Sequence, residues 1–211
     1  MKKILLALIV LSMMALGGDI EDGSAACVAG DYQKGAKLYQ KAAEQGNAEA
    51  QFFLGWLYVN GKGVEQDYKK AAEWYQRAAD QGDANSQNEL GNMYYQGTKI
   101  KQDYKKAAEL FTKSSNQGDA LAQYNLGHMY YFGKEVKQDY RKAAELYQRA
   151  AAQGDKSAQY MLGLMYVKGE SVEQSKIKAY KYWMMAAKQG HSDAEYNLDI
   201  LCKQSPWACK Q

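Results

Sequence analysis

Side chains able to do chemistry are few and scattered in this 211-residue sequence. The two histidines, His128 and His191, stand 63 residues apart, with no partner at metal-ligand spacing, so no metal site is expected. Glu49 and Glu89 could share a face as paired carboxylates. Their helices are expected to pack about 8–10 Å apart and a further turn out of step. That exceeds or only grazes the roughly 6.5–9.5 Å needed by an inverting glycosidase pair. No Ser or Cys is paired in sequence with a base, and the glycines fall at helix ends rather than after a strand. The expectation is a chain with no catalytic residue, metal or cofactor.

The three cysteines suggest structural chemistry instead. Cys202 and Cys209, seven apart, bracket Ser205 and Pro206. A turn there brings them within disulfide reach in an oxidising compartment. So short a closure stabilises by roughly 2–3 kcal/mol on the loop-entropy estimate. It is not the Cys-x-x-Cys of a redox pair. Cys27 is left over, to be removed with a leader, to stay free, or to join another molecule.

These residues are positioned by a repeat. Gln-Gly recurs at Gly46, Gly82, Gly118, Gly154 and Gly190, always 36 residues apart. Leu54, Leu90, Leu126, Leu162 and Leu198 keep that step, as do Ala71, Ala107, Ala143 and Ala179. Such periods mark stacked arrays, in which each unit buries its apolar face against its neighbours. The unit reads as two helices. Asn47, Asp83, Asp119 and Asp155 cap the first helix, and Gly61, Gly97, Gly133 and Gly169 end it in the left-handed conformation. Val64, Ile100, Val136 and Val172 plug the connector, after which Asp67, Asp103, Asp139 and Ser175 cap the second helix. Four full pairs span residues 47–190. A solitary second-type helix (31–45) precedes them and a solitary first-type helix (192–204) follows, with no internal domain boundary.

The motif from Ala48 to Gly82 carries Ala-x-Ala-Gln-Phe-x-Leu-Gly, then Gly-x-Gly-Val, then Lys-Ala-x-x-Trp-Tyr-x-x-Ala-Ala. It resembles the Sel-1-like repeat, a relative of the tetratricopeptide unit, which repeats at about 34 residues. The resemblance covers residues 30–204 and implies an all-α, right-handed α-solenoid of helix-turn-helix repeats, with residues 205–211 as a tail. Lys99, Glu135 and Ser171 replace Gly63, and Asp199 replaces the Leu-Gly glycine in the last copy. A disulfide-rich branch of the family bridges each repeat, but its cysteines would align with Ala43 and Gln51, so that chemistry does not transfer.

Comparing copies places the candidate binding surface. On a helical wheel Gln51, Leu54, Gly55 and Tyr58 gather on one side and scarcely vary, whereas the opposite side changes from copy to copy. That side supplies Glu49, Phe53, Trp56 and Asn60, then Glu89 and Asn92, then Asn125, His128 and Phe132, then Met161, Leu164 and Lys168. In solenoids of this kind the first helices line the concave face, so the resemblance makes this stripe a groove for a protein or peptide. Its large apolar members fit either a contact surface or packing between repeats. Lys69, Glu73 and Arg77 on the second helix are a solvated outer face of balanced charge.

The N-terminus reads as a secretory leader, with Lys2 and Lys3 followed by the apolar run Ile4 to Leu16. Cleavage fits after residue 17 or after residue 26, and a lipid-modified Cys27 is a third option. Without Lys2 and Lys3 the formal charge falls from +3 to +1, which speaks against nucleic acid. No later stretch could span a membrane. The resulting expectation is a periplasmic or secreted, non-enzymatic binding scaffold of a Gram-negative-type envelope. The alternative is an envelope enzyme or cell-wall or β-lactam-binding protein.

Overall fold

The computed structural model describes residues 18–210; residues 1–17, the segment read as a leader, lie outside that range. Residues 18–28 form α1. Ten helices of 12 or 13 residues follow: α2 Tyr32–Glu44, α3 Ala48–Asn60, α4 Tyr68–Asp80, α5 Ala84–Gln96, α6 Tyr104–Asn116, α7 Ala120–Phe132, α8 Tyr140–Ala152, α9 Lys156–Lys168, α10 Lys176–Ala187 and α11 Ser192–Gln204. There is no strand among the described residues.

Caps set these boundaries where the period predicts them. The side-chain oxygens of Asn47, Asp83, Asp119 and Asp155 accept from the N–H of Ala50, Ser86, Ala122 and Ala158 at 2.6–2.8 Å. Asp67, Asp139 and Ser175 do the same for α4, α8 and α10. At the other end, Gly61, Gly97, Gly133 and Gly169 are all left-handed.

The helices gather into two compact units, one running to Asp103 and the other from Tyr104. A stacked array buries its faces neighbour to neighbour, so an unbroken period carries no mark of this division. In the first unit Tyr39, Leu54, Leu57 and Trp74 form the core, with Val64 packed beneath the connector. In the second, Tyr147, Met161, Leu162 and Met165 share one cluster, and Trp183, Leu198 and Leu201 share another.

Small residues seat the large rings. A Cβ on Gly55 would lie 2.8 Å from the Tyr75 ring, and one on Gly127 would lie 2.9 Å from Tyr147. Buried glutamines tie the corners. Gln51 donates to Ala43 O at 3.1 Å and accepts from Gln81 Nε2 at 2.8 Å. Gln159 repeats this with Ala151 O at 3.4 Å and Gln189 at 2.9 Å. Each glutamine thereby bridges three successive helices.

One sequence expectation needs correction. The helix at 31–45 is not solitary, because α1 packs on α2: Gly23 and Ala26 are buried, Ile20 and Cys27 touch the first core, and Asp19 pairs with Lys41 at 2.8 Å. Of the acidic residues read as a processing region, Glu21 and Asp22 lie exposed on the solvent side of α1, while Asp19 is half-buried against Lys41. At the other end the chain turns back between the two cysteines expected to pair. Pro206–Cys209 form a short 3-10 helix with Ser205 and Ala208 buried, and Cys202 is joined to Cys209 across a Cα–Cα distance of 5.7 Å.

Candidate binding site

Three helices of the first unit enclose an open cleft of about 490 Å³. Ser24, Cys27 and Val28 come from the end of α1, Tyr32 and Tyr39 from α2, and Phe52, Phe53, Trp56 and Leu57 from α3. Two glycines let α1 approach. A Cβ on Gly23 would stand 3.1 Å from the Tyr39 ring. Gly35 stands where later copies carry Ala71, Ala107, Ala143 and Ala179, because Cys27 Sγ occupies the room a Cβ would need.

The wall is aromatic. Phe53 stacks on Tyr39 with centroids 5.1 Å apart, and Phe52 meets Phe53 edge-on at 5.4 Å. Trp56 is 37% exposed at the rim. Lys62, two residues beyond α3, puts its ammonium 4.7 Å from the Tyr32 centroid and 5.0 Å from that of Trp56, and donates to the Tyr32 hydroxyl at 3.3 Å. Burial, then Asp31, pushes the free Cys27 thiol above its ordinary value, with Lys62 opposing. A raised pKa leaves little thiolate at neutral pH, which argues against Cys27 as a nucleophile.

The predicted stripe is only partly a surface. Phe53 and Trp56 meet in the cleft, and exposed Glu49 lies on their side of α3. Asn60 is engaged by its own helix, donating to Trp56 O at 2.7 Å. Glu89 and Asn92 are half-buried on α5. In the second unit Phe132 is 49% exposed and lies 4.4 Å from half-buried His128, while Asn125 is also half-buried. Met161 is a correction: at 7% exposure it is core, in the same cluster as Tyr147. Leu164 packs against both clusters of that unit. Lys168 is tied to the Tyr131 hydroxyl at 3.0 Å and to Glu170 at 3.5 Å. His191 sits at the cap of α11 without capping it and stacks on Tyr160.

Comparing copies missed Tyr32, Tyr39, Cys27 and Lys62, which lie off the first helices. The departure of Gly35 from alanine was the available clue. Among the described residues no group of three or more His, Cys, Asp or Glu could hold a metal, and no helix is long and apolar enough to cross a membrane.

The profile of the Sel1 repeat matches residues 10–47, 48–83, 84–119, 120–155 and 156–191. The chain belongs to the Sel1 repeat family. The first Sel1 repeat begins before α1, in keeping with α1 as the partner of α2. A protective antigen of uropathogenic Escherichia coli with the SLR fold is 35% identical with a TM-score of 0.83, over 90% of this chain and 42% of that one. This chain therefore spans less than half of that protein. A Sel1 repeat protein of Oxalobacter formigenes is 34% identical with a TM-score of 0.79, over 85% of this chain and 73% of that one. An immunity protein of Pseudomonas aeruginosa is 26% identical with a TM-score of 0.56, over 85% and 68%. No curated protein matches the chain. Proteins built of Sel1 repeats typically mediate protein interactions and are generally non-enzymatic.

Proposed function

We propose that this chain is an exported, non-catalytic Sel1 scaffold that binds a protein or peptide segment in the cleft between α1, α2 and α3. The cleft carries this reading: five aromatic rings line a concave surface left open to solvent. Tyr and Trp dominate binding hot spots because each offers a large contact area with few rotors to immobilise. Capture from an envelope extract on immobilised protein tests it. Partners retained by the wild type should be lost on Trp56→Ala, and an unchanged set of captured proteins overturns the assignment.

Export to the periplasm or beyond is supported by the basic start and the apolar run Ile4 to Leu16. The Cys202–Cys209 bridge adds to it, since such bonds persist chiefly outside a reducing cytosol. Cleavage after residue 17 leaves α1 whole, whereas cleavage after residue 26 strips it, so we assign the former. Intact mass of the protein recovered from an envelope fraction decides: a chain starting at Gly18 is expected, and an unprocessed chain confined to the cytosol overturns export.

A further inference from the structure

The cleft carries opposite charges at its two ends. Glu49, exposed in the first turn of α3, lies one turn before Phe53 on the same face. Lys62 closes the other end over Tyr32 and Trp56. Neither has an ion-pair partner among the described residues, and the one hydrogen bond of the Lys62 ammonium goes to a neutral phenol. Asp31, the carboxylate facing Cys27, is already engaged in capping α2 through Lys34 N at 3.0 Å. An apolar wall thus runs between a carboxylate and an ammonium that both lack an ion-pair partner among the described residues. From Glu49 to Trp56, where Lys62 leans, is about 10 Å along the helix at 1.5 Å per residue, or about three to four residues of extended chain.

The geometry points to an extended peptide segment as the occupant, with one bulky apolar side chain between Phe53 and Trp56, a basic residue about two positions to one side facing Glu49, and an acidic residue about two positions to the other facing Lys62. This rests on the cleft being the binding site. It adds which segments the cleft selects. A purely apolar ligand would leave both charges without a complement, and a segment charged alike on both sides would meet repulsion at one end.

Cys27 lines the cleft and carries the free thiol, the other two cysteines being joined to each other, so its rate of alkylation by iodoacetamide reports occupancy. The probes are three capped pentapeptides: Lys-Ala-Phe-Ala-Glu, Lys-Ala-Phe-Ala-Lys and Glu-Ala-Phe-Ala-Glu. The mixed-charge peptide should protect Cys27 at concentrations about two- to fivefold below either of the others, the margin an exposed ion pair allows. Lys62→Glu should move the preference to the doubly basic peptide, and Glu49→Lys to the doubly acidic one. Because each variant gains a ligand, a merely misfolded protein cannot mimic the result. Equal protection by all three peptides overturns the selection while leaving the cleft a binding site. Protection by dodecyl maltoside and by no peptide overturns it in favour of a lipid. If no peptide protects Cys27, the selection also fails, and the Trp56→Ala capture separately decides whether the cleft binds at all.

Discussion

Trp56 and Trp74 stand on consecutive helices in different surroundings. Trp74 is 8% exposed in the first core, with the Arg77 guanidinium 4.4 Å over its ring. Trp74→Ala should cost about 3–5 kcal/mol in urea unfolding, the range for emptying a buried aromatic site. Trp56→Ala should cost well under that, since it removes a rim side chain and a cation–π contact of about 0.5–1 kcal/mol. The opposite ranking would make Trp56 part of the core and remove the cleft's main binding residue. His128 gives a pH signature in the second unit. Burial first, and Lys134 second, hold its folded pKa below the ordinary 6.5. The unfolded chain therefore takes up the proton first, so this contribution is intact above pH 6.5 and is lost as pH falls from there towards the folded value. Unfolding midpoints should drop between neutral and mildly acid pH, and His128→Phe should flatten that drop; an identical slope in the variant removes the assignment.

At the level of helices, the corner glutamines make the more demanding contacts. Gln51→Ala removes two hydrogen bonds, each worth about 0.5–1.5 kcal/mol, although Ala43 O keeps the Gly46 N–H and the Gln81 amide keeps Arg77 O. Exposed Gln76→Ala on the neighbouring helix α4 should stay within about 0.5 kcal/mol. Equal effects on thermal melting would mean that the buried bonds contribute no more than a surface side chain. The caps, the left-handed glycines and the helix boundaries from 31 to 204 were legible because each is a local property repeated at a fixed step. Depth was less so. Position 53 faces the preceding second-type helix, where Tyr39 and Phe53 stack at the cleft, and its counterpart Met161 shares a buried cluster with Tyr147. How far such a side chain sinks depends on the ring opposite, which a comparison along one helix does not contain. α1 escaped for a related reason: as an edge helix it lacks the landmarks that two-sided packing imposes, and residues 18–26 also fit the end of a leader cleaved after residue 26.

For the whole chain, α1 is the piece whose loss should matter most to the first unit. Protein beginning at residue 27 loses the Asp19–Lys41 pair and uncovers Tyr39 and Gly35, so it should melt below protein beginning at residue 18. Coincident melting curves would mean that α1 rests on the array without supporting it. The seats at Gly55, Gly127 and Gly163, which receive Tyr75, Tyr147 and Trp183, have a further consequence. At the matching place in α11 stands Asp199, and α11 instead receives the short helix Pro206–Cys209. A duplicated block of 36 residues inserted between Gly154 and Asp155 would find a ready seat on one side and supply one on the other. The same block joined after α11 would find a carboxylate where its ring must land. Arrays of this design gain length from within, by copying interior units, and the face of α11 is closed to that kind of growth.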